Sequence, residues 1–417
     1  MPGADRLSVR VGHVRSSFAI HGLFILFGVV IAAFFPFFTL FLKERGMTPE
    51  QIGFVIAAMA FARIVMNPVW GHLADTRFGR RAVLQFGTVA AAVSALVLFA
   101  AGEDVVALVA TSALFAAVGG AMGPNIDAMA LVHLGDSEMH AYGGIRAWES
   151  LSYAVATLLL GFALTETGVE WTLPIYAAAS LAVLAWSFTL DRDPPQPSAR
   201  HGRMGAAGAV LRSSSRFRKY LASMFFVWVA FSAAWNFIAL RIADQGGNPR
   251  LVGLGLALGG TAEVPMMLLF SRAARRFGLR AVYVSGACVY AAGFLIWGLI
   301  SSPLLISLAS VFEGLGFGLL FASGVVIVGK LVPRSLYSSG QAIAGTVAFG
   351  IAPIVGGQLG GYLYGAFGSV TLYVVASGLA FAGGLFAFRS LATPSLTRPG
   401  PVPEVEPTIE PEPGVVP

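Results

Sequence analysis

The sequence predicts an all-α integral membrane protein, with twelve transmembrane helices in two pseudo-symmetric six-helix bundles. Three observations carry this expectation. The chain of 417 residues is 56% hydrophobic and only 12% charged, with mean hydropathy +0.77, about half the charge fraction of a soluble domain. It divides into apolar runs of about the ~20 residues that cross a bilayer as a helix. And one basic phrase occurs twice: Arg77-Phe78-Gly79-Arg80-Arg81-Ala82-Val83 returns as Arg276-Phe277-Gly278-Leu279-Arg280-Ala281-Val282, an offset of 199 residues from Arg77 to Arg276. A short basic turn between two spans, repeated once per half, marks an internal duplication.

The twelve runs fall at 17–42, 51–73, 82–101, 105–132, 142–164, 171–190, 220–242, 251–271, 281–300, 304–330, 338–363 and 370–391. They are continuous rather than alternating, which excludes an outer-membrane barrel pattern. The first run follows Arg6, Arg10 and Arg15 and is too long for a cleavable signal core of roughly 7–15 residues. The 50 glycines fit close helix contacts, since small residues let spans approach. The organisation read from these runs is an N-terminal segment (1–16), a first bundle (17–190), a linker (191–219), a second bundle (220–391) and a tail (392–417). The linker is rich in proline, glycine, serine and arginine. The tail carries Glu404, Glu406, Glu410 and Glu412 among prolines and is expected to be disordered.

Basic residues set the orientation. With the N-terminus inside, the outside gaps hold only Lys43, Arg45, Arg241 and Arg250. Arg63 lies within a span, and the rest of the 27 Lys and Arg, Arg146 included, fall inside. Twelve spans with both termini cytoplasmic satisfy the positive-inside rule. The net charge of +6 is therefore a topology signal, and no nucleic-acid partner is expected. The single cysteine, Cys288, offers no disulfide framework. The six histidines show no metal-ligand spacing and no Walker-type phosphate loop is present, so neither a metal nor another cofactor is expected, and no enzyme.

Gly71-His72-Leu73-Ala74-Asp75-Thr76-Arg77-Phe78-Gly79-Arg80-Arg81 resembles the signature between helices 2 and 3 of the major facilitator superfamily, roughly G-x-L-A-D-x-x-G-R-[KR]. The degraded second copy, Ser271 to Arg280, lacks the Gly and Asp. The resemblance covers about residues 15–391. Asn67-Pro68-Val69-Trp70-Gly71, Ala262-Glu263-Val264-Pro265 and Tyr142-Gly143-Gly144-Ile145-Arg146-Ala147-Trp148-Glu149-Ser150 resemble the branch that holds lactose permease-like, nucleoside:proton symporter-like and phenylpropionate transporter-like proteins. Glu149 departs from that branch by replacing a glycine. The resemblance implies alternating access of a central path. It implies an inside gate at Gly71, Asp75, Arg77, Gly79, Arg80 and Arg81, with Arg276, Gly278 and Arg280 in the second copy. The alternative for these residues is a solvated basic turn that only sets topology.

Ionisable residues inside the membrane cost at least ~2.5 kcal/mol near its centre and usually face a cavity or a partner. Arg63 lies mid-depth in helix 2 and Glu263 mid-depth in helix 8. Glu313 lies in the outer half of helix 10 and Asp127 toward the inner half of helix 4. The carboxyls are candidates for proton coupling, or for permanent ion pairs with Arg63. Arg63 itself is a candidate to pair inside the protein or to hold an anionic solute. Asn67, Asn125, Trp148, Trp235 and Asn236 are candidates for lining the substrate path. The resemblance implies secondary active transport of a small organic solute, by proton symport and as a monomer, and a bacterial plasma membrane is the expected location. The alternatives are a proton-coupled efflux antiporter of amphipathic compounds and a non-transporting membrane sensor.

Overall fold

The computed structural model describes residues 3–134, 142–191, 206–333, 336–392 and 394–397. Eleven helices are long and apolar enough to cross a bilayer, and a bent pair makes a twelfth. In chain order they are α1 (Phe18–Glu44), α2 (Pro49–Phe78), α3 (Arg80–Phe99), α4 (Val105–Leu134), α5 (Tyr142–Thr167), α6 (Val169–Ser187), α7 (Ser215–Asn236 with Ile238–Asp244, bent by 40°), α8 (Pro249–Phe277), α9 (Leu279–Leu299), α10 (Pro303–Leu331), α11 (Tyr337–Phe367) and α12 (Ser369–Ser390). Helix α7 begins at Ser215 rather than at 220, because Ser214 caps it by accepting from the Phe217 amide. The tail's acidic residues and Arg192, Arg200, Arg203, Arg334 and Arg398 lie outside the described residues.

The duplication reaches well beyond the basic phrase. Thr48 and Asn248 cap α2 and α8, each followed by proline at the first helical position. The turns before and after these helices carry glycine in the same left-handed region: Gly46 and Gly246 at φ 78° and 81°, then Gly79 and Gly278 at φ 80° and 83°. At Gly79 and Gly278 the chain must reverse within one residue between two helices, a conformation closed to most side chains. Pro68 and Pro265 lie inside the same two helices, which continue through them.

Arginines tie each bundle together by capping helix ends, where unpaired carbonyls favour a cation. At the end bearing the basic turns, called here the linker end, Arg81 donates to the carbonyls of Leu190 (2.7 Å) and Phe188 (3.4 Å) beyond α6. Arg280 donates to the Phe388 carbonyl of α12 (3.1 Å) in the second bundle. At the far end, Arg45 donates to the carbonyls of Phe99 (2.9 Å) and Gly102 (3.2 Å). Its counterpart Arg241 is buried and donates to the carbonyls of Trp297 (3.1 Å), Gly298 (2.9 Å) and Ile300 (2.9 Å), and to Ser369 Oγ (3.0 Å). This corrects the reading of Arg241 as a gap residue: it sits in the last turn of α7 and clamps α9 and α12. Arg146 is corrected likewise, since it sits in the first turns of α5 rather than in a gap.

The two bundles meet through α2 against α11 and α5 against α8. The contacts are glycine on glycine. A methyl built on Gly53 would come within 3.0 Å of Gly361 Cα, and one on Gly161 within 3.0 Å of Gly253 Cα. Gly53 corresponds to Gly253 and Gly161 to Gly361 at an offset of 200 residues, so the two contacts are related by the internal symmetry. Both lie toward the far end. There Lys43 of α1 is ion-paired with Asp244 of α7, which also accepts from the Tyr364 hydroxyl of α11. The Arg250 amide donates to Thr165 Oγ1 (3.0 Å), and the Arg250 guanidinium lies 4.1 Å from the Phe162 ring centroid. These contacts clasp the two halves at the far end.

Two spans are interrupted at proline. In α4 the helix breaks at Gly120-Ala121, four residues before Pro124, whose missing N–H leaves the Gly120 carbonyl without its helical donor. In α11 a widened turn, Val347–Ile351, precedes Pro353. The glycines that follow, Gly356, Gly357, Gly360 and Gly361, press against α7 and α2.

Candidate functional site

Two polar regions lie within the apolar bundles. The first is a cavity of about 280 Å³ in the first bundle, walled by α1, α2, α4 and α6. Arg63 and Asn67, one helical turn apart on α2, both line it. The Arg63 guanidinium stands 5.6 Å from the Phe35 ring centroid and within electrostatic reach of Tyr176. Among the described residues it forms no ion pair. Pairing of Arg63 with Asp127, Glu263 or Glu313 is therefore absent from this arrangement. Asn67 Oδ1 is buried and accepts no hydrogen bond. Gly120, at the break in α4, is what lets Asn67 sit so close: a side chain there would collide with that oxygen.

The second region is a train of charges running from the first bundle into the second. Asp127 of α4 accepts from the Tyr142 hydroxyl of α5 (2.7 Å). One turn along α5, Arg146 is ion-paired with Glu149, which is buried. Glu263 of α8, across the α5–α8 contact, lies within electrostatic reach of Arg146 and Glu149. Glu313 of α10 follows, within reach of Glu263. Tyr153 of α5 and Tyr290 of α9 feel both glutamates. Glu313 is 8% exposed and lies against the backbone of α8, where a methyl on Gly259 would come within 2.7 Å of its Oε2. Neither Glu263 nor Glu313 is ion-paired among the described residues. The buried hydroxyls of Tyr290 and Ser310 have no hydrogen-bond partner. Since buried polar groups are normally satisfied, this region holds polar atoms with unused hydrogen-bonding capacity.

Of the residues expected along the path, Trp235 is half-buried where the halves meet, stacked on Phe231 and 6.3 Å from the Phe35 ring across the interface. Asn236 donates to the Ser232 carbonyl (2.7 Å) and Oγ (3.1 Å), and Asn125 to the Ala121 carbonyl (2.6 Å), so each amide is spent on its own helix. Trp148 is exposed and lines neither this cavity nor a second one of about 170 Å³ between α7, α10 and α11.

At the linker end, Asp75 sits in a widened helical turn, Ala74–Phe78, and pairs with Arg80 at 3.2 Å. Arg77 and Arg276 each lie 5.2 Å from the ring of the following phenylalanine. Gly71 is exposed with open space around it, while Gly278 packs against the Leu396 and Thr397 backbone. The residues that sequence reasoning did not single out are Tyr142, Tyr153, Tyr290 and the Arg146–Glu149 pair. The signal was present in the last case: Glu149 was the one departure from the Y-G-x-x-R-x-W-G-S pattern, three residues after an arginine on the same helical face.

Comparison with known proteins agrees with this architecture. The maltose permease of Geobacillus stearothermophilus is 27% identical over 349 residues, spanning 82% of this chain and 85% of that protein. The quinolone resistance protein NorA of Staphylococcus aureus is 26% identical over 181 residues, 42% of this chain and 44% of that one. The crystal structure of the nucleoside transporter NupG superposes with a TM-score of 0.76 at 15% identity, covering 91% of this chain and 99% of that chain. The MFS_1 like family matches residues 18–375. The chain accordingly belongs to the MFS_1 like family and is a secondary transporter of the major facilitator superfamily, set in a lipid bilayer, and not an enzyme.

Proposed function

We propose that the protein is a proton-coupled symporter that brings a small organic solute across a bacterial plasma membrane by alternating access, with both termini cytoplasmic. The observation that carries this reading is the Glu263–Glu313 pair. Two carboxyls lie within electrostatic reach of each other on α8 and α10, Glu313 buried and Glu263 half-buried, neither bonded to a cation among the described residues, with the Tyr290 and Ser310 hydroxyls unsatisfied nearby. Two carboxylates without a cation are costly in a membrane interior. A proton on one of them relieves the cost, and movement of the α5–α8 contact brings Arg146 toward or away from Glu263, favouring release or uptake. In this orientation the far-end clasp closes the outside, and the Asp75–Arg80 turn is the gate of the cytoplasmic side.

The likeness to a quinolone resistance protein favours a second reading, proton-driven efflux. One experiment separates the two. Purified protein is placed in liposomes holding a pH-sensitive dye, and sugars, nucleosides, organic acids and cationic drugs are added outside, with Glu263→Gln and Glu313→Gln as controls. Proton entry coincident with one solute, lost in a glutamine variant, supports symport. Proton exit driven by a drug supports antiport. Solute flux without proton movement sinks both.

A further inference from the structure

We infer that the cavity of the first bundle is a carboxylate-binding subsite, so that the solute is a small organic acid with an apolar, ring-sized body. This deepens the symport reading and rests on it. The argument starts from charge. A guanidinium carries five donors and cannot shed its proton, and one held among apolar helices calls for a counter-charge. Arg63 has Phe35 and Tyr176 beside it but no carboxylate among the described residues.

Three further features converge on the same space. The second segment of α4, Met122–Leu134, begins at this cavity, with Gly123 lining it. The start of a helix is its positive end and favours an anion. Asn67 lines the same space: its Oδ1 is closed off against Gly120, but its amide N–H group donates to no acceptor among the described residues, so a carboxylate there would take that donor. The remaining wall is apolar, with aromatic rings such as Phe34 and Phe115 beside aliphatic side chains, which suits an apolar ring. At about 280 Å³ the space is at the small end for ligand pockets. An anion carried with one or more protons also makes chemical sense of a carrier that holds the buried Glu313 in α10, ion-paired with no cation among the described residues.

The test is binding, separate from transport. The full chain in detergent is titrated calorimetrically with benzoate, 4-hydroxyphenylacetate and hexanoate, each set against its uncharged amide. The inference predicts that at least one acid binds roughly tenfold or more tightly than its amide. Arg63→Gln should abolish that preference, Arg63→Lys should keep part of it, and Glu313→Gln should leave it intact. Equal affinity for acid and amide throughout, or a preference that survives in Arg63→Gln, overturns the subsite. Should Arg63→Gln fail to fold, the wild-type comparison and Arg63→Lys still decide. Arg63-dependent acid binding without any proton movement in liposomes would sink the symport reading and leave the subsite standing.

Discussion

Lys43, near the end of the first span, is ion-paired with Asp244, at the end of the seventh, across 201 residues of sequence. The pair fastens the two bundles at the far end, and the Tyr364 hydroxyl donates to the same carboxylate. Both side chains are partly exposed, at 45% and 34%, so the pair contributes roughly 0–1 kcal/mol. That is too little to hold the fold and enough to bias a conformational balance by up to about fivefold. Lys43→Met should therefore leave the melting temperature nearly unchanged while opening the far end more often. Faster labelling of a cysteine placed at Phe35, in a Cys288→Ser background, by a membrane-impermeant maleimide measures this. The double swap Lys43→Asp with Asp244→Lys should restore the slow rate.

The glycine contacts predict a stronger effect. Gly53 with Gly361 and Gly161 with Gly253 leave no room for a methyl between backbones. Gly361→Val or Gly161→Val should force the bundles apart at the far end without unfolding either. Transport should fall by at least about tenfold, an expectation from the size of side chain inserted into close packing, with helicity retained by circular dichroism. Unchanged transport in both variants would show that the contacts are incidental.

Arg241 and Arg45 occupy corresponding places but differ in burial. Arg241 is 4% exposed and satisfies three carbonyls and a hydroxyl, whereas Arg45 serves two carbonyls and is half-buried. Each buried acceptor left unpaired costs about 1–3 kcal/mol. Arg241→Met should thus lower thermal stability markedly more than Arg45→Met, as read by a thiol-independent melting assay. Equal losses would mean that water replaces the lost donors at both sites.

Much of this was legible in the sequence, for physical reasons. A lipid-facing span must be apolar over a fixed length, so the run lengths reported the helices directly. The repeated phrase reported the duplication because both copies do the same work: Arg81 and Arg280 each cap the end of a distant helix. Boundaries slipped where polar residues join a helix, as at Ser215, or where a cation is buried by capping, as at Arg241. Glu263 and Glu313 stood out as charges in apolar runs, but their proximity did not, since α8 and α10 pair only in three dimensions. Tyr153 and Tyr290 were invisible because a tyrosine in a span reads as an anchor. The orphan oxygen of Asn67 depends on a glycine fifty-three positions away, at Gly120, which no local pattern reveals.

The central claim is that the Glu263–Glu313 pair carries the coupled proton, and because Glu313 is the more deeply buried of the two, one measurement on it addresses the claim most directly. Wild-type and Glu313→Gln protein are compared in liposomes with the solute that moves protons in the wild type, in two modes: exchange of labelled for unlabelled solute at equal pH, and uptake driven by a pH gradient. The account predicts that the variant still exchanges solute, since the path and the gates are intact, but no longer accumulates it against a gradient. Accumulation at the wild-type level in Glu313→Gln would contradict the account and move the proton to another group.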